Sequence, residues 1–339
     1  MQSGVAMSHR ELGQLSLGDH LIVRRGSGPQ FLKRIGALLD WAALEGIVGR
    51  LHQSSHGAPS YPPLVMLKAM LLQQWYGLSD PQTEEALSDR LSFRSFCGFA
   101  LHDRVPDHST IQRFRNALGA AGLDRQVFAA VNRQLDGRGL ILRQGTLLDA
   151  TLIAAAVRPP AKPSEPQPPG LDGAAPSKLV KSKHDPEAEW TRKGGKLHFG
   201  YKGHVGVDKR SGLIRRALLT GASVNDTVPA DQLICGDEAA VYADAAYHTH
   251  QRERELTARG VAAHLMRRGN KHHPLSQADK DRNTAIGKHR GPVEQVFGRT
   301  KTSYRWARAR CRGLMRNTTH FLLLCTAMNL KRMIVLCAP

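Results

Sequence analysis

The sequence is poor in acidic residues, in cysteines and in long apolar runs, and each shortage narrows the classes of protein that it can encode. Its 339 residues include 48 Lys and Arg against 29 Asp and Glu. The 5 cysteines are widely spaced and form no C-x-x-C pair, which argues against a disulfide framework or a zinc ribbon. No signal core and no apolar run of bilayer-spanning length is present. We therefore expect a soluble cytoplasmic protein without a membrane partner.

The surplus of basic residues is concentrated towards the end of the chain. From Leu265 to Pro339 there are 16 basic and 3 acidic residues, which supplies +13 of the net charge of +19. Such a field attracts polyanions, and nucleic acid is the commonest polyanionic partner. The alternative is a ribosome-like or simply very soluble basic protein.

Residues 1–140 are predicted to form a helical domain. Pro62-Pro63 opens one apolar helix, and the polar run from Pro106 to Thr110 is typical of the start of another. Arg113 and Arg115 lie in the first turns of that second helix. Short helices of this kind suit a helix-turn-helix reader of DNA, and they suit a dimerisation or scaffold bundle equally well.

Residues 141–339 are predicted to form an α/β domain with a mixed sheet flanked by helices. A hairpin is expected between His198 and Thr220, and the order of strands and helices around it is that of ribonuclease-H-like domains. The segment at about 158–195 contains eight prolines between Pro159 and Pro186. We expect it to be a flexible insertion and not a packed element.

Three acidic residues occupy settings in which a carboxylate is unusual. Asp149 interrupts the apolar run 147–153, Asp244 ends the run 240–243, and Glu294 follows Pro292 at the expected start of a helix. A buried carboxylate is costly unless a partner such as a cation neutralises it. Carboxylates on two strand ends and one helix can converge on two divalent ions, an arrangement suited to displacement at a phosphodiester.

Other polar clusters are interpreted differently. The His248-x-His250 motif and the pair His272-His273 could bind zinc, but in a chain with 16 histidines we interpret them as surface or DNA-facing residues. The carboxylates that compete with the three above are Asp208, Asp226 and Asp237. Asp208 is expected to cap a turn and Asp226 to cap a helix that begins near Thr227.

With these residues in place, the chain resembles the DDE transposases of bacterial insertion sequences, specifically the insertion-sequence-five group of the insertion-sequence-four superfamily. The resemblance extends over nearly the whole length. The segments that carry it are 60–63, 87–94, 106–110, 201–208 and 243–247.

A C-terminal signature of that superfamily adds to the resemblance. The signature is Tyr, two residues, Arg, three residues, Glu, six residues, Lys. Its last three members match at Arg290, Glu294 and Lys301, while Gly287 stands where tyrosine is expected.

The resemblance implies a transposase that cleaves the ends of its element and transfers the cut strands into target DNA. Asp149, Asp244 and Glu294 would be the catalytic residues and would bind two Mg²⁺ or Mn²⁺ ions. Expected partners are double-stranded DNA, both terminal inverted repeats and target, and a second copy of the chain in a homodimer or larger synaptic assembly. The protein would be bacterial, cytoplasmic and nucleoid-associated when bound to DNA.

The expected DNA contacts are basic residues in both domains. They are Arg290, Arg299, Lys301, Arg305 and Arg308 near the catalytic residues, with Arg113 and Arg115 in the helical domain. Two alternatives remain open at this stage: a nuclease of the same fold without strand transfer, and a DNA-binding relic or regulator without catalysis.

Overall fold

The computed structural model describes residues 9–14, 30–51, 59–160, 181–269 and 272–338. The chain divides into two compact units. The first comprises Met1–Leu140 and Leu322–Pro339, and the second comprises Ile141–Phe321. The segment from Leu322 onward thus groups with the helical unit, whereas the sequence suggested a single division near residue 140.

The first unit is helical, as the sequence predicts. Pro63 opens one helix, where a missing N–H costs nothing, and Gly77 ends it in the left-handed conformation at φ 65°. Asp107 caps another by accepting a hydrogen bond from the Thr110 amide. Before the C-terminal segment the helices are α1 (Gln30–Leu38), α2 (Trp41–Val48), α3 (Pro63–Tyr76), α4 (Asp80–Asp89), α5 (Leu91–Cys97), α6 (His108–Ala120) and α7 (Leu123–Gly137).

The second unit is built on a six-stranded mixed sheet. The strands are β1 (Thr146–Ala154), β2 (Glu189–Lys193), β3 (Lys196–Asp208), β4 (Ile214–Gly221), β5 (Ala240–Ala243) and β6 (Ala262–Leu265). Their order is β2-β3-β1-β5-β6, with β4 also paired to β3. The β3 pairings are antiparallel, whereas β1–β5 and β5–β6 are parallel. This arrangement is the ribonuclease-H-like one that the sequence predicts.

Helices connect and flank the strands of this sheet. They are α8 (Ala230–Leu233), α9 (His250–Ala258), α10 (Gln277–Gly287) and α11 (Gly291–Thr302). A further helix, α12 (Leu314–Leu336), begins in the second unit, and its residues from Leu322 onward belong to the first. Helix α8 is shorter than the predicted helix from Thr227 to Ile234. The Asn225 side chain accepts a hydrogen bond from the Thr227 amide at 3.1 Å, and this turn together with Pro229 delays the start of the helix.

The flexible insertion predicted at about 158–195 is not irregular as far as residue 195. Its part at 161–180 lies outside the described residues. Its last residues form β2, which pairs with β3 along its whole length. Trp190 is 6% exposed and packs against Phe199 with ring centroids 5.2 Å apart. Burial of these two aromatic rings stabilises the packing of β2 against β3. The nearby prolines had led us to expect an irregular segment here.

Helix α12 is, among the described residues, the one helix with the length and apolar composition of a membrane span. However, 72% of its apolar stretch is buried inside the protein, as in the core helix of a soluble protein. In the first unit, its residue Ala327 accepts a hydrogen bond from Trp75 Nε1 at 2.9 Å. Within the second unit, Phe321 stacks on Trp306 at 5.0 Å.

The structure corrects the expected role of Arg115 as a DNA contact. Arg115 is 4% exposed, and its guanidinium donates to both carboxylate oxygens of Asp80 and, at 3.1 Å, to Gln73 Oε1. Helical spacing placed Arg115 near the start of α6, but it did not indicate which face of that helix packs inward. Arg115 thus stabilises the helical unit from within, while Arg113 remains exposed.

Replacing Arg115 with alanine should lower the free energy of unfolding by about 2–3 kcal/mol. Removal of one partner of a fully buried ion pair costs about 3–5 kcal/mol, but the Asp80 side chain keeps 23% exposure. Urea unfolding measures the change. Arg113→Ala is the matched control and should change stability by less than about 0.5 kcal/mol. Equal stability of the Arg115 variant and the natural protein would contradict this role.

Candidate active site

Asp149 and Asp244 are brought together by the parallel pairing of β1 with β5. In this pairing Thr146 lies opposite Val241 and Leu147 opposite Tyr242. Asp149 and Asp244 therefore each lie two residues beyond the last position at which β1 and β5 pair with each other. Side chains alternate between the faces of a sheet. The two carboxylates therefore project on one face, and the apolar core around Leu148 packs on the other.

One arginine bridges these two carboxylates. Arg290 Nη2 lies 2.9 Å from Asp149 Oδ2, and Arg290 Nη1 lies 3.6 Å from Asp244 Oδ2. The side chains of Arg290, Asp149 and Asp244 are 12%, 15% and 38% exposed, so solvent reaches the contacts mainly from the side of Asp244. The guanidinium marks the position between the two carboxylates where positive charge is held.

Burial raises the pKa of the Asp149 carboxyl above its ordinary value, although the nearby Arg290 guanidinium and the Ala150 amide act in the opposite direction. The Asp244 carboxylate raises this pKa further. The ionised form of Asp149 is thus not fully compensated by the protein's own groups. A site of this kind favours an additional cation.

Glu294 lies in the first turn of α11, after Pro292 and with its amide bonded to the Arg290 carbonyl. Arg290 has helical backbone angles, φ −79° and ψ −10°, so residues 290 and 294 share one face of the helix. Glu294 is exposed. It therefore follows, one helical turn along, the arginine that reaches the two aspartates.

The three carboxylates do not form a closed cluster. Among the described residues, two other groups have potential metal ligands that all lie within 4.8 Å of one another: His248, His250 and Glu253, and Cys235, Asp237 and Glu238. Arginines already neutralise both. Arg267 and Arg282 pair with Glu253, while Arg215 pairs with Asp237 and Glu238. Neither group needs a cation to satisfy its carboxylates.

The structure confirms the turn-capping role of Asp208 and corrects the role of Asp226. Asp208 Oδ1 accepts hydrogen bonds from the Arg210 and Ser211 amides at 3.2 and 2.8 Å. Asp226 caps no helix. Its Oδ1 lies 2.9 Å from Lys202 Nζ, in an ion pair, and Lys202 Nζ also donates to the Val224 carbonyl at 2.7 Å.

Beside this ion pair lie two buried side chains that the sequence did not single out. His204 is fully buried, and burial lowers its pKa to about 4, so it is neutral at physiological pH. Tyr247 is also fully buried, and its hydroxyl has no hydrogen-bond partner among the described residues. Burial raises the pKa of Tyr247, as do the charges of Asp226, Asp149 and Asp244. The only signal in the sequence was the position of Tyr247, three residues after Asp244.

The basic residues expected to contact DNA near this site fall into two groups. Arg299, Lys301 and Arg305 are exposed at and just beyond the end of α11. Arg308 is exposed as well, and its guanidinium donates to the Ala155 and Ala156 carbonyls, both at 2.9 Å. These hydrogen bonds hold Arg308 beside the end of β1.

Comparison with known protein families identifies both halves of the chain. The family described as Transposase domain (DUF772) matches residues 21–117. The family described as Transposase DDE domain matches residues 142–330, which is more than half of the chain. The chain belongs to the DDE transposases. No solved structure matches it.

The transposase family implies that the chain binds DNA, and DDE transposases generally use divalent metal ions. The residues at the acidic pair fit such ions. Carboxylate oxygens are the ligands that Mg²⁺ and Mn²⁺ prefer, and the raised pKa of Asp149 indicates negative charge that the protein compensates incompletely. Lys301, by contrast, has its pKa lowered by burial and by the charge of Lys193, which shows that positive charges are crowded at the far end of α11.

The transposase departs from the superfamily signature at Gly287, the last residue of α10. A Cβ at this position would make an ordinary contact of 3.6 Å with Met266 Cε. Nothing in the structure explains the glycine.

Asp149→Asn should stabilise the metal-free transposase at neutral pH. Because the pKa of Asp149 is raised in the folded state, stability falls as the pH rises through the ordinary and then the raised pKa, and asparagine removes this loss. Thermal unfolding should show the gain at pH 7 and its disappearance at pH values below the ordinary carboxyl pKa.

Addition of Mg²⁺ extends the same experiment. At 100 times its Kd, a bound ion stabilises the folded state by about 2.7 kcal/mol, and the Asn variant should lose most of this gain. Asp281→Asn, at an exposed carboxylate of α10, is the matched control and should behave as the natural protein does. A metal-free Asp149→Asn variant less stable than the natural protein would contradict the prediction.

Proposed function

We propose that this transposase cleaves DNA at the ends of its element and joins the freed ends to target DNA, as a member of the insertion-sequence-five group. The observation that carries the proposal is the convergence of Asp149 and Asp244 on one guanidinium, two residues beyond the last positions at which β1 and β5 pair. Two acidic residues beside a surface rich in arginine and lysine have no use in passive binding of DNA, because they repel phosphates. They are of use where a cation must be held against a phosphodiester.

Asp149, Asp244 and Glu294 are the residues that would hold two Mg²⁺ or Mn²⁺ ions. When bound, the ions lower the pKa of an attacking hydroxyl and stabilise the charge on the leaving oxygen. Glu294 is exposed in the first turn of α11, one turn after Arg290, whose side chain contacts the aspartates, and it would supply the third carboxylate. No side chain is needed as a covalent nucleophile.

Arg290 has two roles in this proposal. Within the protein, its contacts with Asp149 and Asp244 offset the repulsion between the two carboxylates. In the complex with DNA its guanidinium binds a phosphate oxygen, for which its planar pair of donors is well suited. The same side chain thus competes with cations before DNA arrives and positions the substrate afterwards.

The surrounding DNA would be held by exposed basic residues. Arg299, Lys301 and Arg305 lie at the end of α11 away from Arg290 and would bind the phosphate backbone. Arg113, exposed on α6, is the remaining proposed contact of the helical domain, which would bind the terminal inverted repeats. Because two DNA ends must be held together, we propose a homodimer or larger synaptic assembly, associated with the nucleoid in the bacterial cytoplasm.

Substitution of any of the three carboxylates should abolish cleavage and joining without abolishing binding. We expect Asp149→Asn, Asp244→Asn and Glu294→Gln each to slow cleavage by more than about 100-fold, because loss of an outer-shell partner of a metal site alone costs about 10–100-fold. The assay follows a labelled duplex that carries the element's own ends, with Mg²⁺, and gel mobility measures binding.

The possible outcomes separate the transposase from its alternatives. Metal-dependent cutting without joining would indicate a nuclease of the same fold. Binding without metal-dependent cutting by the natural protein would indicate a DNA-binding relic or regulator. Asp226→Asn is the matched control, since Asp226 lies near the site but pairs with Lys202, and it should retain cleavage within about tenfold.

Arg290→Ala should separate metal binding from cleavage. Removal of the guanidinium frees both aspartates, so the variant should bind Mn²⁺ more tightly than the natural protein while it cleaves DNA more slowly. Calorimetric titration with Mn²⁺ and the cleavage assay measure the two effects. Weaker Mn²⁺ binding by Arg290→Ala would show that the arginine supports the metal site and does not compete with cations for it.

A further inference from the structure

Strand β2 (Glu189–Lys193) and the first residues of β3 form a two-stranded ribbon outside the site around Asp149 and Asp244. Lys196–Gly200 pairs with β2 on one side. On that same side, pairing of β3 with β4 begins only at Tyr201, and on the other side its pairing with β1 ends at Gly200. Residues 189–200, here called the basic ribbon, therefore extend from the sheet at Gly200, and among the described residues no third strand pairs with Lys196–His198.

The base of the basic ribbon is anchored in the second unit. Trp190 and Phe199 are 6% and 5% exposed and pack against each other. The Phe199 carbonyl accepts a hydrogen bond from the Ala155 amide at 2.9 Å, and the Glu189 carboxylate accepts hydrogen bonds from the amide and hydroxyl of Ser223. An isolated two-stranded ribbon is marginally stable in water, so these contacts hold the ribbon in place.

The tip of the basic ribbon carries positive charge that no described carboxylate neutralises. Gly194 and Gly195 form its turn at φ 55° and 76°, and Lys193 lies directly opposite Lys196. Arg192, Lys193 and Lys196 are exposed, and none of them forms an ion pair with a carboxylate in the part of the chain that the structure describes. Like charges directly opposite each other destabilise a strand pair, and a polyanion removes that cost.

The tip of the ribbon lies far along β3 from the acidic pair and close enough to Lys301, a proposed DNA contact, for Lys193 to affect the charge of Lys301. Asp149 lies opposite Val205 on β3, and Lys196 is nine residues further along β3, which corresponds to roughly 30 Å. Helix α11 runs from Arg290 at the acidic pair to Lys301, whose pKa is lowered in part by the charge of Lys193. Positive charge thus continues from Arg290 along α11 to the ribbon.

We propose that the basic ribbon is a DNA-binding arm, in which Arg192, Lys193 and Lys196 bind phosphates of the duplex whose scissile bond lies at Asp149 and Asp244. A two-stranded ribbon has the width of the major groove, and its lysines then lie against the backbone on either side. The position of the scissile bond rests on the proposed function, but the binding of DNA by the ribbon does not.

The salt dependence of DNA binding tests this arm. Each lost phosphate contact reduces the slope of log K against log salt by about 0.9, so R192Q/K193Q/K196Q in the full chain should reduce the slope by about 2–3. Fluorescence anisotropy with a labelled duplex, between about 50 and about 200 mM salt, measures it. The variant should melt at the same temperature as the natural protein or above it, because it removes repulsion between facing lysines.

The opposite end of β3 supplies the matched control. Arg210 is an exposed basic residue in the turn between β3 and β4, and Arg210→Gln should leave the slope unchanged. An unchanged slope in the triple variant, or an equal fall in both variants, would overturn the proposal and leave the ribbon a solvated charged face. Asp149→Asn keeps the two hypotheses apart, because it should stop cleavage while it leaves the contribution of the ribbon to the slope intact.

Discussion

The repulsion between the Asp149 and Asp244 carboxylates is the constraint on which the rest of the catalytic unit depends. Parallel pairing of β1 and β5 places these side chains on the same face, two residues beyond the last positions at which the two strands pair, and the Arg290 guanidinium between them compensates their charge. The compensation is incomplete, since the pKa of Asp149 stays raised. A divalent ion is the natural complement of this arrangement, and the proposed third ligand, Glu294, lies one helical turn after Arg290 on α11.

The charge pattern of the second unit is organised around this pair. Arg290, at the start of α11, faces the aspartates, whereas Lys301 at its end lies within the electrostatic influence of Lys193 on the basic ribbon. A phosphate backbone that follows this path would meet the acidic pair beside Arg290 at one end and basic residues from there to the ribbon. That sequence of charges suits a substrate which must be bound along its length and attacked at one bond.

Much of the fold follows from local rules that are visible in the sequence. Pro63, Gly77 and Asp107 act at helix ends as their chemistry requires, and the apolar run around Asp149 forms strand β1 as its pattern predicts. The remaining features depend on contacts between distant residues. Arg115 donates hydrogen bonds to Asp80 and Gln73 on other helices. Strand β2 is held by the packing of its Trp190 on Phe199 and by the hydrogen bond from Ser223 to its Glu189. Asp226, in the segment after β4, forms an ion pair with Lys202 on β3. Helical spacing and proline content cannot reveal such partners.

Calorimetric titration of the DNA-free protein with Mn²⁺ tests most directly whether Asp149 and Asp244 form the cation site. Binding should be lost in both Asp149→Asn and Asp244→Asn and retained in Asp226→Asn and in a His248→Ala/His250→Ala variant. The double variant is needed because the side chains of His248, His250 and Glu253 also lie close enough together to bind one ion. Loss of Mn²⁺ binding in the histidine variant, with normal binding in the two aspartate variants, would contradict the assignment of the metal site to the acidic pair.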